Sequence, residues 1–301
     1  MNCFCMLQFA RAGSPLLPLR PILSGFGMSF PYYFHIGSVR LHPHPIFEAL
    51  AYAVAFRLYV SLRGRQGDAL SDVNRWSVIA AAAVGAGAGS RLLYWFEDPG
   101  FMWWHRDEAA FWLSGKTIVG GLIGGLLAVE FIKSRLGIVR RTGDLFAVPL
   151  CVGIAIGRIG CFLSGAEDHT GGVATTLPWG VNFGDGITRH PTQLYEMVFT
   201  LLLGIVLWRR LRRPHTQGDI FRAFMVCYFA FRLACDFLKP DVRIIFGLSS
   251  IQCACVALLL YYSKDVVRWF GRANGGLRAI DCTAGGISRL EGAAQPGEAA
   301  R

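Results

Sequence analysis

"LCVGIAIGRIGCFLSGAED", residues 150–168, opens as a run of aliphatic and small residues and then sets Arg158 among them. A glycine, a cysteine and two acids follow: Gly160, Cys161, Glu167 and Asp168. The apolar part reads as a buried or membrane-spanning helix. A guanidinium in hydrocarbon costs at least ~2.5 kcal/mol on insertion scales. Arg158 therefore needs a partner or a wet cavity inside the helix bundle.

The rest of the chain says what surrounds that helix. Of its 301 residues, 53% are hydrophobic and only 17% charged, with a mean hydropathy of +0.41. A soluble domain carries more polar surface, so the bilayer is the natural solvent. Seven stretches approach the ~20 residues a crossing needs: roughly 45–62, 76–96, 118–135, 145–163, 191–208, 217–238 and 243–262. The cations alternate between the connections. Arg63, Arg65 and Arg75 follow the first stretch; Lys133, Arg135, Arg140 and Arg141 the third; Arg209, Arg210, Arg212 and Arg213 the fifth; and Lys264, Arg268 and Arg272 the last. The 97–115 connection instead pairs acids with Trp103, Trp104 and Trp112, an interfacial belt. This predicts an all-α integral membrane protein, a bundle of about seven transmembrane helices with the N-terminus outside and the C-terminus cytoplasmic. The net charge of +10 is then used by topology, which removes nucleic acid as a partner. Residues 1–27 read as a poorly ordered extension, 28–270 as the membrane domain, and 271–301 as a disordered tail.

Several ionisable residues fall inside the predicted spans: Glu48, Arg91, Glu130, Arg158, Glu196, Arg232 and Asp236. Near a helix end Glu130 can snorkel, and so can Arg91. The others must face one another or a cavity. Arg232 and Asp236 stand four apart on one helix and can pair. Arg91, Arg158 and Arg232 together suit a phosphate, because guanidiniums offer forked hydrogen bonds. A phospholipid head group is the phosphate a membrane protein meets most often. Gly157 and Gly160, beside Arg158, would let backbone come close to that head group. Glycines also crowd "VGAGAGSR" (84–91) and "VGGLIGGLL" (119–127, with Gly120 and Gly121), where they serve helix packing or lipid approach.

A second informative stretch is "RHPTQLYE", Arg189 to Glu196. Pro191 suits a first helical turn, with His190 just before it. Next to Arg189, Tyr195 and Glu196, His190 is the leading general-base candidate. The nine cysteines show no metal spacing; most read as small apolar fillers, with Cys161 set apart by its place. No cofactor or metal is expected.

"GRIGCFLSG" (157–165) and "RHPTQLYE" together resemble the prolipoprotein diacylglyceryl transferase family, whose patterns are Gly-Arg-x-Gly-Asn-Phe-x-Asn-Gly-Glu and Arg-His-Pro-Ser-Gln-Leu-Tyr-Glu. "GAGSRLLY" (87–94) and "FAFRLACDF" (229–237) are similar to two further family stretches. The resemblance covers roughly 35–262 in consistent order. It implies a multi-pass enzyme of the bacterial cytoplasmic (inner) membrane. Such enzymes move the diacylglyceryl group of phosphatidylglycerol to the lipobox cysteine thiol of a prolipoprotein signal peptide. Arg158, Arg232, His190 and Glu196 would carry the chemistry, with Arg91, Arg189 and the glycines on the lipid. Alkyl transfer to sulfur needs a base for the thiol proton and cations for the departing phosphate. The chain also departs from the family. Its span-three His is Val119, its Asn residues are Cys161 and Ser164, and its span-six Glu is Asp236. Its span-four Glu position is Ala166, with Glu167 one place later. The base must then be His190, Glu196 or Glu167, and Lys116 could restore polarity near Val119. Two alternatives stay open: the same fold acting on another lipid or acceptor, and a lipid-binding protein without activity.

Overall fold

The computed structural model describes residues 30–269 apart from Ala69. The expectations for 1–27 and 271–301 lie outside the described residues. A short hairpin, β1 (Phe34–Ile36) and β2 (Val39–Leu41), leads into helices α1 (Pro43–Gln66) and α2 (Asp72–Trp95). Two short helices follow in the tryptophan-rich connection, α3 (Pro99–Trp104) and α4 (Ala109–Leu113). Then come α5 (Ile118–Arg135), α6 (Asp144–Leu163), a second small hairpin β3 (Val181–Asn182) and β4 (Thr188–Arg189), α7 (Thr192–Leu211), α8 (Asp219–Cys235) and α9 (Ser250–Tyr261).

A helix lies in each of the seven predicted stretches, but in the last, 243–262, only Ser250–Tyr261 is helical. Among the described residues, α1, α2 and α6 are each long and apolar enough to cross a membrane. A fourth candidate is α9 together with Ser263–Trp269, bent by 52° at the break between them. The helix ends follow local chemistry. Thr117 caps α5 by accepting from the Gly120 amide at 3.0 Å. Ser249 and Gln252 form a capping box on α9. Asp144 reaches from α6 to the Gly218 and Phe221 amides at 2.6 and 2.9 Å, closing the start of α8. Pro191 does not enter α7 as expected. It holds the cap position, and the helix begins at Thr192.

Two packings organise the bundle. α2 and α5 meet through glycines spaced four apart, Gly85 and Gly89 against Gly120 and Gly124. A Cβ on Gly89 would fall 2.7 Å from the Gly124 Cα, and one on Gly120 would overlap the Gly89 carbonyl oxygen. Gly120 is therefore a packing residue rather than a lipid contact, and Gly121 lies at ordinary distance from Ala86 on the same seam. The second packing joins α6 with α1 and α7, and α8 with α7 and α9. Its core holds Ala147, Cys151, Leu207, Phe224, Met225, Phe229 and Cys255, all buried. Val119 is buried in this cluster, so the position of the family histidine is an apolar plug. Val84, Leu92, Leu127, Phe131 and Leu202 point outward, as side chains facing hydrocarbon do.

Candidate active site

The core is not uniformly apolar. At its centre Arg158 of α6, Glu196 of α7 and Arg232 of α8 meet, exposed by only 7%, 1% and 4%. Arg158 Nη2 lies 2.8 Å and Arg232 Nη1 3.4 Å from the same Glu196 oxygen, Oε2. Tyr228 donates to the other, Oε1, at 2.7 Å. Arg232 also pairs with Asp236 at 3.2 Å, the expected contact one turn along. Asp236 in turn accepts from Ser249 Oγ at 2.5 Å. Glu196 is thus an anchor for two guanidiniums, and both its oxygens are occupied by donors.

One donor of the set is left over. Arg158 Nε is buried without a hydrogen-bond partner, and a buried donor left unmade is costly. Beside Arg158, a Cβ on Gly157 would meet nothing within 4 Å, so that flank is open. Lys239, just past α8, is buried near the two arginines. Burial, then repulsion from Arg232 and Arg158, lowers its amine to about 8. Three cationic side chains therefore stand against the carboxylates of Glu196 and Asp236. Around the rim, burial and then Asp241 push Glu97 up to about 7, and burial and then Asp236 raise Asp241.

The remaining predicted residues spread around this centre. His190 Nδ1 lies 3.2 Å from the Tyr195 hydroxyl, which accepts from Trp179 Nε1 at 2.8 Å. Its backbone bonds to Gly172 and Val173 hold it beside the β3–β4 hairpin. Arg189 turns to Asp185 at 2.7 Å, and this hydrogen bond first of all lowers the Asp185 carboxyl. Glu167 accepts from Tyr33 at 2.9 Å and faces His42 at 3.3 Å. Lys116 does not restore polarity at Val119. It pairs with Glu48 of α1 at 2.7 Å on the exposed side, because the Thr117 cap turns the chain just before α5. Arg91 sits on α2, whose main packing partner is α5. Gly160 is used by helix packing, since a Cβ there would fall 2.8 Å from Phe47 Cβ and 3.3 Å from His44 Cα.

Sequence reasoning missed Tyr228, Lys239, Ser249 and His44. Tyr228 stands four residues before Arg232, a spacing that could have shown it. The repeated "HPHP" (42–45) at the start of α1 carried the same signal as His190 before Pro191. Lys239 belongs to a connection with no periodicity to read, and Ser249 fell inside the predicted 243–262 stretch, where it is instead the cap before α9.

Cys161 also has company. Its Sγ accepts from Arg158 Nη1 at 3.6 Å and lies 3.8 Å from His44 Nδ1, which is itself 2.8 Å from Asp168 Oδ1. Burial would raise the Asp168 carboxyl, but hydrogen bonds from His44 and Thr170 outweigh it and hold it low.

Residues 31–264 match the family model described as prolipoprotein diacylglyceryl transferase. A phosphatidylglycerol–prolipoprotein diacylglyceryl transferase of Paracidovorax citrulli is 31% identical over 255 residues, 76% of this chain and 93% of its own. The enzyme of that name from Bordetella avium is 33% identical over 221 residues, 70% and 82% of the two chains. That from Geobacter sulfurreducens is 31% identical over 222 residues, 71% and 84%. The arginine-centred helix bundle and this match across most of the chain carry one conclusion: the protein belongs to the prolipoprotein diacylglyceryl transferase family.

Proposed function

We propose that this chain transfers the diacylglyceryl group of phosphatidylglycerol to the lipobox cysteine of prolipoproteins, in the bacterial cytoplasmic membrane. The names of its relatives support the reaction. The observation that carries it here is the buried pair Arg158 and Arg232 on one Glu196 oxygen, with Arg158 Nε unpartnered. In this reading the bundle crosses the membrane about seven times, using α1, α2, α5, α6, α7, α8 and the bent α9 pair. The loop cations put the N-terminus outside and the C-terminus in the cytoplasm. Residues 28–270 form the transferase domain, with 1–27 and 271–301 outside it.

The lipid phosphate binds at Arg158, with Arg232 and Lys239 adding positive potential. Arg91, Arg189 and Gly157 contribute to the path of the lipid. As the acceptor sulfur attacks the glyceryl carbon, a C–S bond forms and the C–O bond to phosphate breaks. The leaving glycerol phosphate takes both electrons, where the guanidiniums stabilise it. Glu196 and Asp236 hold those guanidiniums in place, and Tyr228 fixes Glu196. His190, backed by Tyr195, is the candidate acceptor for the thiol proton. Glu196 serves less well as a base, because its oxygens already hold three donors.

A second reading is favoured by Val119: the bundle acts on another lipid or acceptor, or binds lipid without turnover. The deciding assay uses purified full-length chain, vesicles of phosphatidylglycerol carrying labelled acyl chains, and a lipobox-cysteine peptide. Labelled peptide is expected, and it should disappear with Arg158→Ala. Equal labelling by that variant and the parent would overturn the assignment.

A further inference from the structure

We propose that His44, Cys161 and Asp168 form a site for a zinc-class divalent cation, and that its free coordination position takes the acceptor thiol as thiolate. The second half rests on the transfer reading above; the metal site itself does not.

The three side chains come from separate elements that are held together firmly. Cys161 lies in the last turn of α6, three residues after Arg158. The close approach at Gly160 brings the start of α1 against α6, and with it His44, flanked by Pro43 and Pro45. Asp168 ends the 3₁₀ turn Gly165–Asp168. That turn requires glycine at residue 165, where φ is +62° and a Cβ would fall 2.8 Å from the Phe183 carbonyl oxygen.

The donor atoms converge on one point. His44 Nδ1, Cys161 Sγ and the Asp168 carboxylate oxygen all lie within 4.8 Å of one another. Bond lengths of about 2.0–2.3 Å at a tetrahedral ion put such atoms roughly 3.4–3.6 Å apart. The observed N–O and N–S separations are 2.8 and 3.8 Å and the S–O separation is no more than 4.8 Å, so side-chain shifts of up to about 1 Å complete the geometry. One ring nitrogen, Nδ1, faces both the thiol and the carboxylate. A nucleophile–base–acid relay needs the two ring nitrogens to face opposite partners. Convergence on a single nitrogen gives no such relay; it suits three ligands around an ion, or one ring N–H held by the carboxylate when no ion is bound.

The chemistry fits as well. Thiolate, imidazole and carboxylate are zinc ligands, and their two negative charges balance a dication. Both anions have outer support: Arg158 Nη1 donates to Cys161 Sγ at 3.6 Å, and Thr170 Oγ1 donates to Asp168 Oδ2 at 2.6 Å. Cys161 is buried, while the His44 side chain is 35% exposed, which leaves one side of the cluster reachable. Three protein ligands with one position open is the pattern of a reactive zinc site. An acceptor thiol entering that position stays as thiolate, its proton passing to His190, the base of the transfer reading. It would then sit next to Arg158, where the phosphate leaves.

The test uses the full chain in detergent, stripped with a chelator and titrated with Co2+. One cobalt per chain is expected, with a near-ultraviolet thiolate-to-cobalt absorption that Zn2+ displaces. Cys161→Ser should abolish that band, and Asp168→Asn should weaken binding by about 10–100-fold. Cys227→Ser, at an exposed cysteine, should change neither. Absence of the band, or its survival in Cys161→Ser, overturns the site; if Cys161→Ser does not fold, an Asp168→Asn variant that binds cobalt as tightly as the parent overturns it. In parallel, a lipobox-cysteine peptide should shift the cobalt spectrum and its serine analogue should not. Transfer that persists after chelation refutes the metal's role while leaving the transferase reading standing. A cobalt site whose protein transfers no lipid confirms the site and refutes the transferase reading.

Discussion

Replacing Glu196 with glutamine removes one negative charge from between two guanidiniums while keeping the side chain's shape. Gln can still accept from Tyr228, so that hydrogen bond survives in neutral form. Arg232 keeps Asp236 at 3.2 Å, but Arg158 loses its only carboxylate partner among the described residues, formerly at 2.8 Å. Its side chain is 8% exposed, so water does little to replace the lost charge. Breaking a buried pair from one side costs about 3–5 kcal/mol. With Arg232 still paired, the low end applies, about 3 kcal/mol. At roughly 2–4 °C per kcal/mol for a domain of this size, the apparent melting temperature should fall by about 6–12 °C. Thermal unfolding in detergent measures this directly. The loss should be insensitive to salt, because ions do not screen a buried pair well. The double variant Arg158→Met/Glu196→Gln should recover part of it, since no unpaired guanidinium then remains. A drop below about 2 °C, or a double variant no better than the sum of its singles, would refute the claim that Glu196 holds Arg158 in place.

Arg158→Lys should reduce transfer nearly as much as Arg158→Ala, about 10²-fold or more in kcat, because an ammonium cannot hold Glu196, Cys161 and a phosphate in a fork; steady-state labelling of a lipobox peptide checks this. Lys239 is lowered to about 8, so its charge is present below that pH and lost above it. Anionic-lipid affinity should weaken as pH rises through about 8, and Lys239→Met should remove that limb of the profile. The stability effect has the opposite sign: the fold favours the neutral amine, so stability rises with pH between about 8 and the ordinary value of 10.5. Gly124→Leu should destabilise the α2–α5 seam by about 1–3 kcal/mol, because its Cβ would meet Gly85 and Gly89 backbone. Gly121→Ala, 3.6 Å from its nearest neighbour, should be tolerated; paired melting curves compare the two.

Hydropathy period, helix length and loop charge are local properties, and they are why all seven helical stretches, the glycine seams and the Arg232–Asp236 pair were legible in the chain alone. "RHPTQLYE" and "GRIGCFLSG" marked the family for the same reason: each is a short contiguous run. What partners an intramembrane arginine is not local. Arg158 could have paired with Asp236 or Glu196, and only the packing of α6 on α7 selects Glu196. Gly120 looked like a residue beside a head group until the fold set it against Gly89. Lys116 looked like a substitute for lost polarity until the Thr117 cap sent it toward Glu48. The meeting of His44, Cys161 and Asp168 was least visible of all, since 117 positions separate the first two. A sequence lists the charges that a bilayer will not tolerate unpaired, but the crossing of helices determines which of them meet.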